Sequence, residues 1–262
     1  MDLFAGGCNL SVNVDAKKIL ANDTNEKMIQ IYQYFKENPS HEVIKKLEQL
    51  VQNYGLSNSS RYGFERYDTT SMLGVAKYNK KGFEKLRSDY NADKSPLMLF
   101  MLIIFSFNNQ IRFNPLGDFN SSVNKRDFND KIKKNLQKFI DKLKSIDISL
   151  SAFDYKNVEI LSDSFVYLDP PYLISKATYN EKNAWDEKQE RELLEYIDAL
   201  DAKGIKFALS NVFQSKSKKN HLLIEWSERY RVHKLSYSYH NCNYQNKNKN
   251  LETTDEVLIT NY

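Results

Sequence analysis

The sequence predicts an α/β protein: a mostly parallel sheet whose chain is interrupted by a mostly helical insertion bearing a β-hairpin. Three observations predict it. The apolar run Phe165-Val166-Tyr167-Leu168 ends in Asp169-Pro170-Pro171-Tyr172, as a strand buried on both faces does when two residues without a backbone N–H stop it. The chain opens on Met1-Asp2-Leu3-Phe4-Ala5-Gly6-Gly7, a strand end running into a glycine turn, and Ile19-Leu20-Ala21-Asn22-Asp23 follows as a second strand ending in an acid. Between residues 26 and 146 the apolar spacing changes from strand-like to helical.

Composition bounds the answer. The 262 residues fit one large domain or one domain with an insertion. With 41% hydrophobic and 27% charged residues the chain is of ordinary soluble, globular make-up. A net charge of +4 permits nucleic-acid binding without requiring it, and 17 Tyr with 15 Phe supply stacking partners for a base. Cys8 and Cys242 make no disulfide framework, which points to a reducing cytoplasm and against zinc. His41, His221, His233 and His240 lack metal-ligand spacing, so no metal is expected. The most apolar stretch, 96–107, is too short to cross a bilayer and reads as a buried helix. No signal peptide is expected, because the chain begins inside a motif.

Taken in order, a helix starts near Asn9 or Ser11, after the glycine turn. Helices are predicted over 26–35 and 41–54, the second with Ile44, Leu47, Leu50 and Val51 at helical spacing. Residues 57–70 are polar and read as irregular, and 83–90 and 96–107 as two more helices. In 107–120 polar amides alternate with apolar residues around Pro115 and Gly117, the pattern of a β-hairpin. A basic helix spans 131–144, with Ile132, Leu136, Phe139 and Leu143 on one face and its lysines solvated. Strands and helices then alternate as a parallel sheet requires: strand 148–153, helix 186–200, strand 204–210 ending at Ser210-Asn211, helix 221–230, strands 231–239 and 256–261. Loops 216–219 and 245–250 are basic and face water or phosphates. The domain boundaries so drawn give 1–25 and 147–262 to the sheet and 26–146 to the insertion.

The chemistry gathers at strand ends, where open α/β sheets bind ligands. The exocyclic amine of a nucleobase is a poor nucleophile, since its lone pair is delocalised into the ring. Acceptors that pull on its protons restore a tetrahedral nitrogen. The Asp169 carboxylate and the Pro170 carbonyl are such a pair, and Tyr172 is a ring to stack on the base. The same residues also fit a buried strand whose Asp caps a proline turn. Gly6 and Gly7 let backbone approach a ligand, and Asp2 can accept a hydrogen bond from a cationic amino group. Asp23 follows the turn near the spacing of about 20 residues at which Rossmann-type sites hold ribose hydroxyls. In the hairpin Arg112 and Arg126 can reach guanine edges or phosphates, while Asn109, Gln110, Asn114 and Asn120 carry the donor and acceptor pair that suits adenine. A solvated polar hairpin with scattered arginines fits that stretch as well.

Asp2-Leu3-Phe4-Ala5-Gly6-Gly7, Ala21-Asn22-Asp23, Asp169-Pro170-Pro171-Tyr172 and Asp255-Glu256-Val257-Leu258-Ile259-Thr260-Asn261-Tyr262 occur in this order. In that order they resemble the Dam-type DNA adenine methyltransferases, including phage enzymes, and the similarity runs through nearly the whole chain. The resemblance implies a Rossmann-like methyltransferase sheet with an inserted target-recognition domain. It implies S-adenosylmethionine as donor, no metal, double-stranded DNA as partner and no membrane, in a bacterial or phage-infected cytoplasm. The target is then N6 of an adenine rotated out of the duplex, usually within GATC. Residue by residue, Asp2, Phe4, Gly6 and Gly7 would hold the methionine part and Asp23 the ribose. Phe153, Asp154, Tyr155 and Tyr179 would line the donor's adenine, with Asp154 accepting from its amine. Asp169 borders donor and target base alike, with Pro170 and Tyr172 on the base. Ile111-Arg112-Phe113-Asn114 and Lys125-Arg126 resemble the family's recognition hairpin, which puts Arg126 on a base and Arg112 in a positioning role. Residues 179–185 are expected to close over the flipped base. The family carries a segment with a Lys-containing loop before the first strand, and here it is expected to be missing, which bears on donor binding. Two rival readings stand beside it: a sequence-specific DNA-binding relative that keeps the scaffold without catalysis, and, since related signatures serve them, an amino-methyltransferase of free nucleotide, RNA or a protein amide.

Overall fold

A computed structural model describes residues 1–174, 185–235 and 254–262. They form two compact units, one of Met1–Asp15, Ile19–Thr24 and Ser151–Tyr262, the other of Ala16–Lys18 and Asn25–Leu150. The strands, in chain order, are β1 (Ile19–Asn22), β2 (Ile148–Ser151), β3 (Phe165–Leu168), β4 (Lys206–Ser215), β5 (Lys218–Lys219), β6 (Arg231–Leu235) and β7 (Thr254–Thr260).

The first unit is a Rossmann-like mixed sheet with flanking helices. Asp2 is its centre, bridging in parallel to Ala21 of β1 on one side and to Tyr167 of β3 on the other. The backbone bonds run Asp2 N to Leu20 O and Asn22 N to Asp2 O, both 2.8 Å, and Leu3 N to Tyr167 O at 3.1 Å. The expected strand 1–4 is therefore central, but reduced to this bridge, because the chain turns at Gly6, whose φ of 46° suits glycine. β3 then pairs in parallel with β4, with Val166 opposite Phe207 and Leu168 opposite Leu209. β7 lies antiparallel between β4 and β6.

Three expectations need correction here. Phe165 is 42% exposed while Val166 and Leu168 are fully buried, so β3 is not covered on both faces at its start; Phe165 packs edge-on against Tyr262 instead. β4 does not stop at Ser210-Asn211 but continues to Ser215, with Asn211 opposite Val257 and a bulge between Val212 and Gln214. The helix expected over 221–230 ends at Ser227.

The helix Glu187–Ala202 shows why these sequences choose their elements. Asp186 and Gln189 form a reciprocal capping box at its start. Leu193, Leu194, Ile197 and Leu200 recur at helical spacing and are buried against the sheet. Fully burying a side chain such as Ile197 contributes about 1.5–3 kcal/mol. Gly204, at φ 73°, releases the chain toward β4.

The second unit is helical: Glu26–Glu37, Ser40–Asn53, Ala76–Asp93, Pro96–Phe105 and Asp130–Ser145 are its long helices. Asn25 and Asn129 cap the first and last by accepting from Met28 N and Ile132 N. Pro96–Phe105 is apolar along its length and buries Leu97, Leu99, Met101, Leu102 and Phe105. Phe100 meets Phe35 edge-on at 5.2 Å. The helix expected over 83–90 is longer, and the stretch expected to be irregular holds the short helix Ser59–Tyr62 and the turn Glu65–Tyr67. The hairpin is looser than a regular ladder: Ser106 pairs with Val123 and Phe113 with Phe119 as isolated antiparallel bridges. Positive φ at Asn108 and Asn109 breaks the run between them. Among the described residues no helix is long and apolar enough to cross a membrane.

Candidate active site at the strand ends

Asp2 is 3% exposed. Its Oδ2 accepts from Ser11 Oγ at 2.7 Å. Its Oδ1 is buried with no hydrogen-bond partner among the described residues. Loss of hydration raises its pKa against the opposing pull of Ser11 and the Phe4 amide, and the charge of Asp169 raises it further. A buried acceptor left unmatched costs about 1–3 kcal/mol. A ligand carrying a cationic amino group supplies the missing donor and adds a positive charge to that of the nearby Met1 ammonium. The residues present therefore fit the amino-acid end of a methyl donor.

The glycine turn sits beside this acid. Gly6 donates its amide to Asp23 Oδ2 at 2.8 Å, so Asp23, just past β1, ties the turn to the neighbouring strand end. A Cβ on Gly7 would come within 3.3 Å of the Asn9 side chain. Cys8, wholly buried in a left-handed conformation, starts the helix Asn9–Asn13, and burial pushes its thiol up to about 12.

Asn22 joins the strand ends, a role that sequence pattern did not assign. Fully buried, it donates through Nδ2 to Leu3 O at 3.2 Å and to Phe153 O at 2.9 Å. Its Oδ1 accepts from Phe153 N at 3.0 Å and from Ser151 Oγ at 2.8 Å. Phe153 is thereby held in place while 58% exposed. Asp154 accepts from Lys156 N and caps the turn Tyr155–Asn157. Tyr155 is buried, its ring tilted against Phe4 at 5.3 Å, and burial raises its pKa. Trp185 meets Phe4 edge-on at 6.2 Å. These rings make an aromatic wall beside the acids. Tyr179, and with it most of the segment 179–185, lies outside the described residues, as do His240, loop 245–250 and the end of the strand predicted over 231–239.

At the end of β3, Asp169 Oδ1 accepts from Tyr172 Oη at 2.9 Å. The residue keeps an exposed edge, yet protein around its carboxyl strips enough water to raise its pKa, against the favourable bond from Tyr172. Tyr172 is likewise pushed up, by burial and by the charge of Asp169. Pro170 is buried and Pro171 exposed, so the diproline corner is half embedded.

Behind the wall lies a polar group that sequence pattern did not single out. Glu190 is fully buried and accepts from Trp185 Nε1 at 2.6 Å, Asn220 Nδ2 at 2.8 Å and Asn211 Nδ2 at 3.4 Å. Burial raises its pKa and the three donors oppose the rise. Asn211, just past the strand end drawn from the sequence, is spent on Glu190 and Val212 N. An acid on the apolar stripe of Glu187–Ala202 was the available signal.

The residues proposed to read DNA lie in the second unit, in and just after the hairpin. Asn109 Nδ2 donates to Ile103 O and Ile104 O, capping the helix before it. Asn114 Oδ1 accepts from Leu116 N and Asp118 N and shapes the hairpin tip. Gln110 is half-buried, and its carbonyl accepts from Ser106 and Ser121. Arg112, Asn120, Lys125 and Arg126 are exposed, as is Asn109 with its side chain bonded back to the helix. Among the described residues no cluster of three or more His, Cys, Asp or Glu is placed to hold a metal ion.

Comparison with known proteins gives a consistent picture. Residues 1–241 match the family of D12 class N6 adenine-specific DNA methyltransferases. The whole chain aligns at 38% identity with the type II methyltransferase M.FokI of Planomicrobium okeanokoites and covers 38% of that protein. It is 35% identical to the modification methylase StsI of Streptococcus sanguinis, again covering 38% of it. It is 25% identical to the type II methyltransferase M1.LlaDCHI of Lactococcus lactis subsp. cremoris, of which it covers 84%. The chain thus spans well under half the length of M.FokI and StsI.

Proposed function

The chain belongs to the D12 class N6 adenine-specific DNA methyltransferase family, and from that premise we propose that it transfers a methyl group from S-adenosylmethionine to N6 of an adenine rotated out of duplex DNA. The observation that carries this reading is the pair Asp2 and Asp169. They stand on adjacent strand ends, close enough for the charge of one to raise the pKa of the other, with an unmatched acceptor on Asp2.

When bound, the donor supplies an electrophilic methyl group on a positively charged sulfur. Asp2 holds the donor's amino group, the Gly6 turn lies against its carboxylate end and Asp23 takes the ribose. Phe153, Asp154 and Tyr155 line its adenine. Asp169, oriented by Tyr172, accepts one proton of the target amine and the Pro170 carbonyl accepts the other. The lone pair of the target nitrogen would take the donor's methyl carbon, the C–S pair leaving with sulfur. Asp169 meets the positive charge that nitrogen gains, and the proton nitrogen then sheds passes to Asp169 or to water. Placing both reactants in contact distance supplies much of the rate. The segment 26–146 serves as the target-recognition domain, and Arg112, Asn120, Lys125 and Arg126 contact DNA.

GATC is the first candidate target, by the resemblance to Dam-type enzymes. The name of the relative StsI as a modification methylase supports a protective role against a restriction enzyme. The test is incubation with radiolabelled donor and a panel of duplex oligonucleotides, followed by nucleoside analysis. Label on N6-methyladenine is expected. Label on cytosine, RNA or protein, or bound DNA without label, overturns the reading.

A further inference from the structure

The Ser59–Tyr62 helix and the residues around it border an open pocket of about 840 Å³ within the second unit. Its floor is apolar, with Val51, Leu56 and Phe128, and its rim carries Arg61, Arg66, Tyr62 and Tyr78. Tyr62 and Tyr78 are 53% and 47% exposed, and Tyr78 meets the Tyr67 ring edge-on at 4.6 Å, so each residue keeps surface at which a base can pack. Arg61 lies over the Tyr62 ring at 5.1 Å. The acids at the pocket, Glu48 and Asp130, share Lys133 at 2.8 and 3.3 Å; the lysine offsets one of them and the two arginines outweigh the other, so the lining is net positive by one charge. An apolar floor, two exposed tyrosines and two guanidinium groups match a nucleotide better than a bare anion.

This rim is rigidly mounted. Asp127, 2% exposed, accepts from Ser57 Oγ, Ser59 N and Ser59 Oγ at 3.2, 2.6 and 3.0 Å. Gly74 packs so tightly that a Cβ there would lie 2.5 Å from Lys125, and Val75 N donates to Lys125 O. The pocket is therefore fixed to the stretch bearing Lys125 and Arg126.

We propose that this pocket is a second DNA-contact site, in which Arg61 and Arg66 hold a phosphate and Tyr62 and Tyr78 take the attached nucleotide. The inference rests on duplex DNA being the substrate. The test measures binding of a fluorescent duplex across a salt series by the full chain, Arg61→Ala/Arg66→Ala and Tyr62→Ala/Tyr78→Ala, with donor binding and melting temperature in parallel. The arginine pair is expected to weaken binding about tenfold or more and to reduce the salt slope by about 0.9 for each phosphate no longer held. The tyrosine pair should weaken it about fivefold to a hundredfold with the slope unchanged. Donor binding stays as in the parent. If the parent binds DNA and both variants match it, the pocket assignment is wrong while the enzyme reading stands. If the parent binds donor but no duplex, the DNA reading fails and the pocket with it. Should either double variant melt early, Arg66→Gln alone, at an exposed position, decides by the same salt slope.

Discussion

Asn22 grips the backbone of Phe153 on both sides, donating to its carbonyl at 2.9 Å and accepting from its amide at 3.0 Å, across 131 residues of sequence. One buried side chain thus fastens the end of β1 to the chain leaving β2 and, through Leu3 O, to the central strand. The aromatic wall and the glycine turn are mounted on that joint.

Asn22→Leu removes this joint and leaves the buried Leu3 carbonyl and the part-buried amide and carbonyl of Phe153 unmatched. With about 1–3 kcal/mol for the buried group and less for the two that water can reach, a loss of about 2–4 kcal/mol is expected in urea unfolding. Donor affinity should fall as well. A variant as stable as the parent with unchanged donor titration would show that the joint is dispensable.

Replacing a helical glycine by alanine usually stabilises by up to about 1 kcal/mol. Gly82, inside Ala76–Asp93, should do the opposite. A Cβ there would sit 2.1 Å from the Tyr54 carbonyl oxygen, and backbone cannot yield cheaply. Gly82→Ala is expected to lower the melting temperature of the protein, and a rise would contradict the packing described.

Asp169→Ala should keep DNA affinity within about tenfold and abolish methyl transfer, because its bond to the amine is strongest in the transition state. Tyr172→Phe removes a hydrogen bond to a charged group, an interaction of about 1.5–3 kcal/mol, so kcat should drop about tenfold to a hundredfold. Single-turnover assays at saturating DNA separate these effects from binding. Unchanged methylation by Asp169→Ala refutes its role.

Burial raises the pKa of both Asp2 and Asp169. Activity should therefore decline with falling pH earlier than an ordinary carboxylate would predict, as the two acids take up protons. Stability moves the other way. The folded state binds the Asp2 proton more tightly than the unfolded chain does, so its penalty is full above the raised folded value. The penalty shrinks as pH falls toward the ordinary carboxylate value. Without donor, Asp2→Asn should melt higher than the parent near neutral pH, with the gap closing in acid, and should lose donor binding. A pH-independent gap would place the cause elsewhere.

Local pattern was enough for the strand ending at Asp169, the glycine turn, the acid after β1 and most helices of the second unit, since apolar spacing, caps and proline stops act over a few residues. Helix Glu187–Ala202 was legible within two residues at either end. The hairpin was legible as a turn but not as a ladder, because Asn109 bonds back to the helix before it.

By itself, then, the sequence determined the α/β class and which acids stand at strand ends. Only the tertiary structure decided what those acids face. Asp2 lacks a partner for Oδ1 among the described residues, Asp23 receives the Gly6 amide, Asn22 holds Phe153 and Glu190 holds Trp185. The physical reason is range: hydrophobic periodicity is written in neighbouring residues, whereas matching a buried polar atom depends on groups brought together from distant segments.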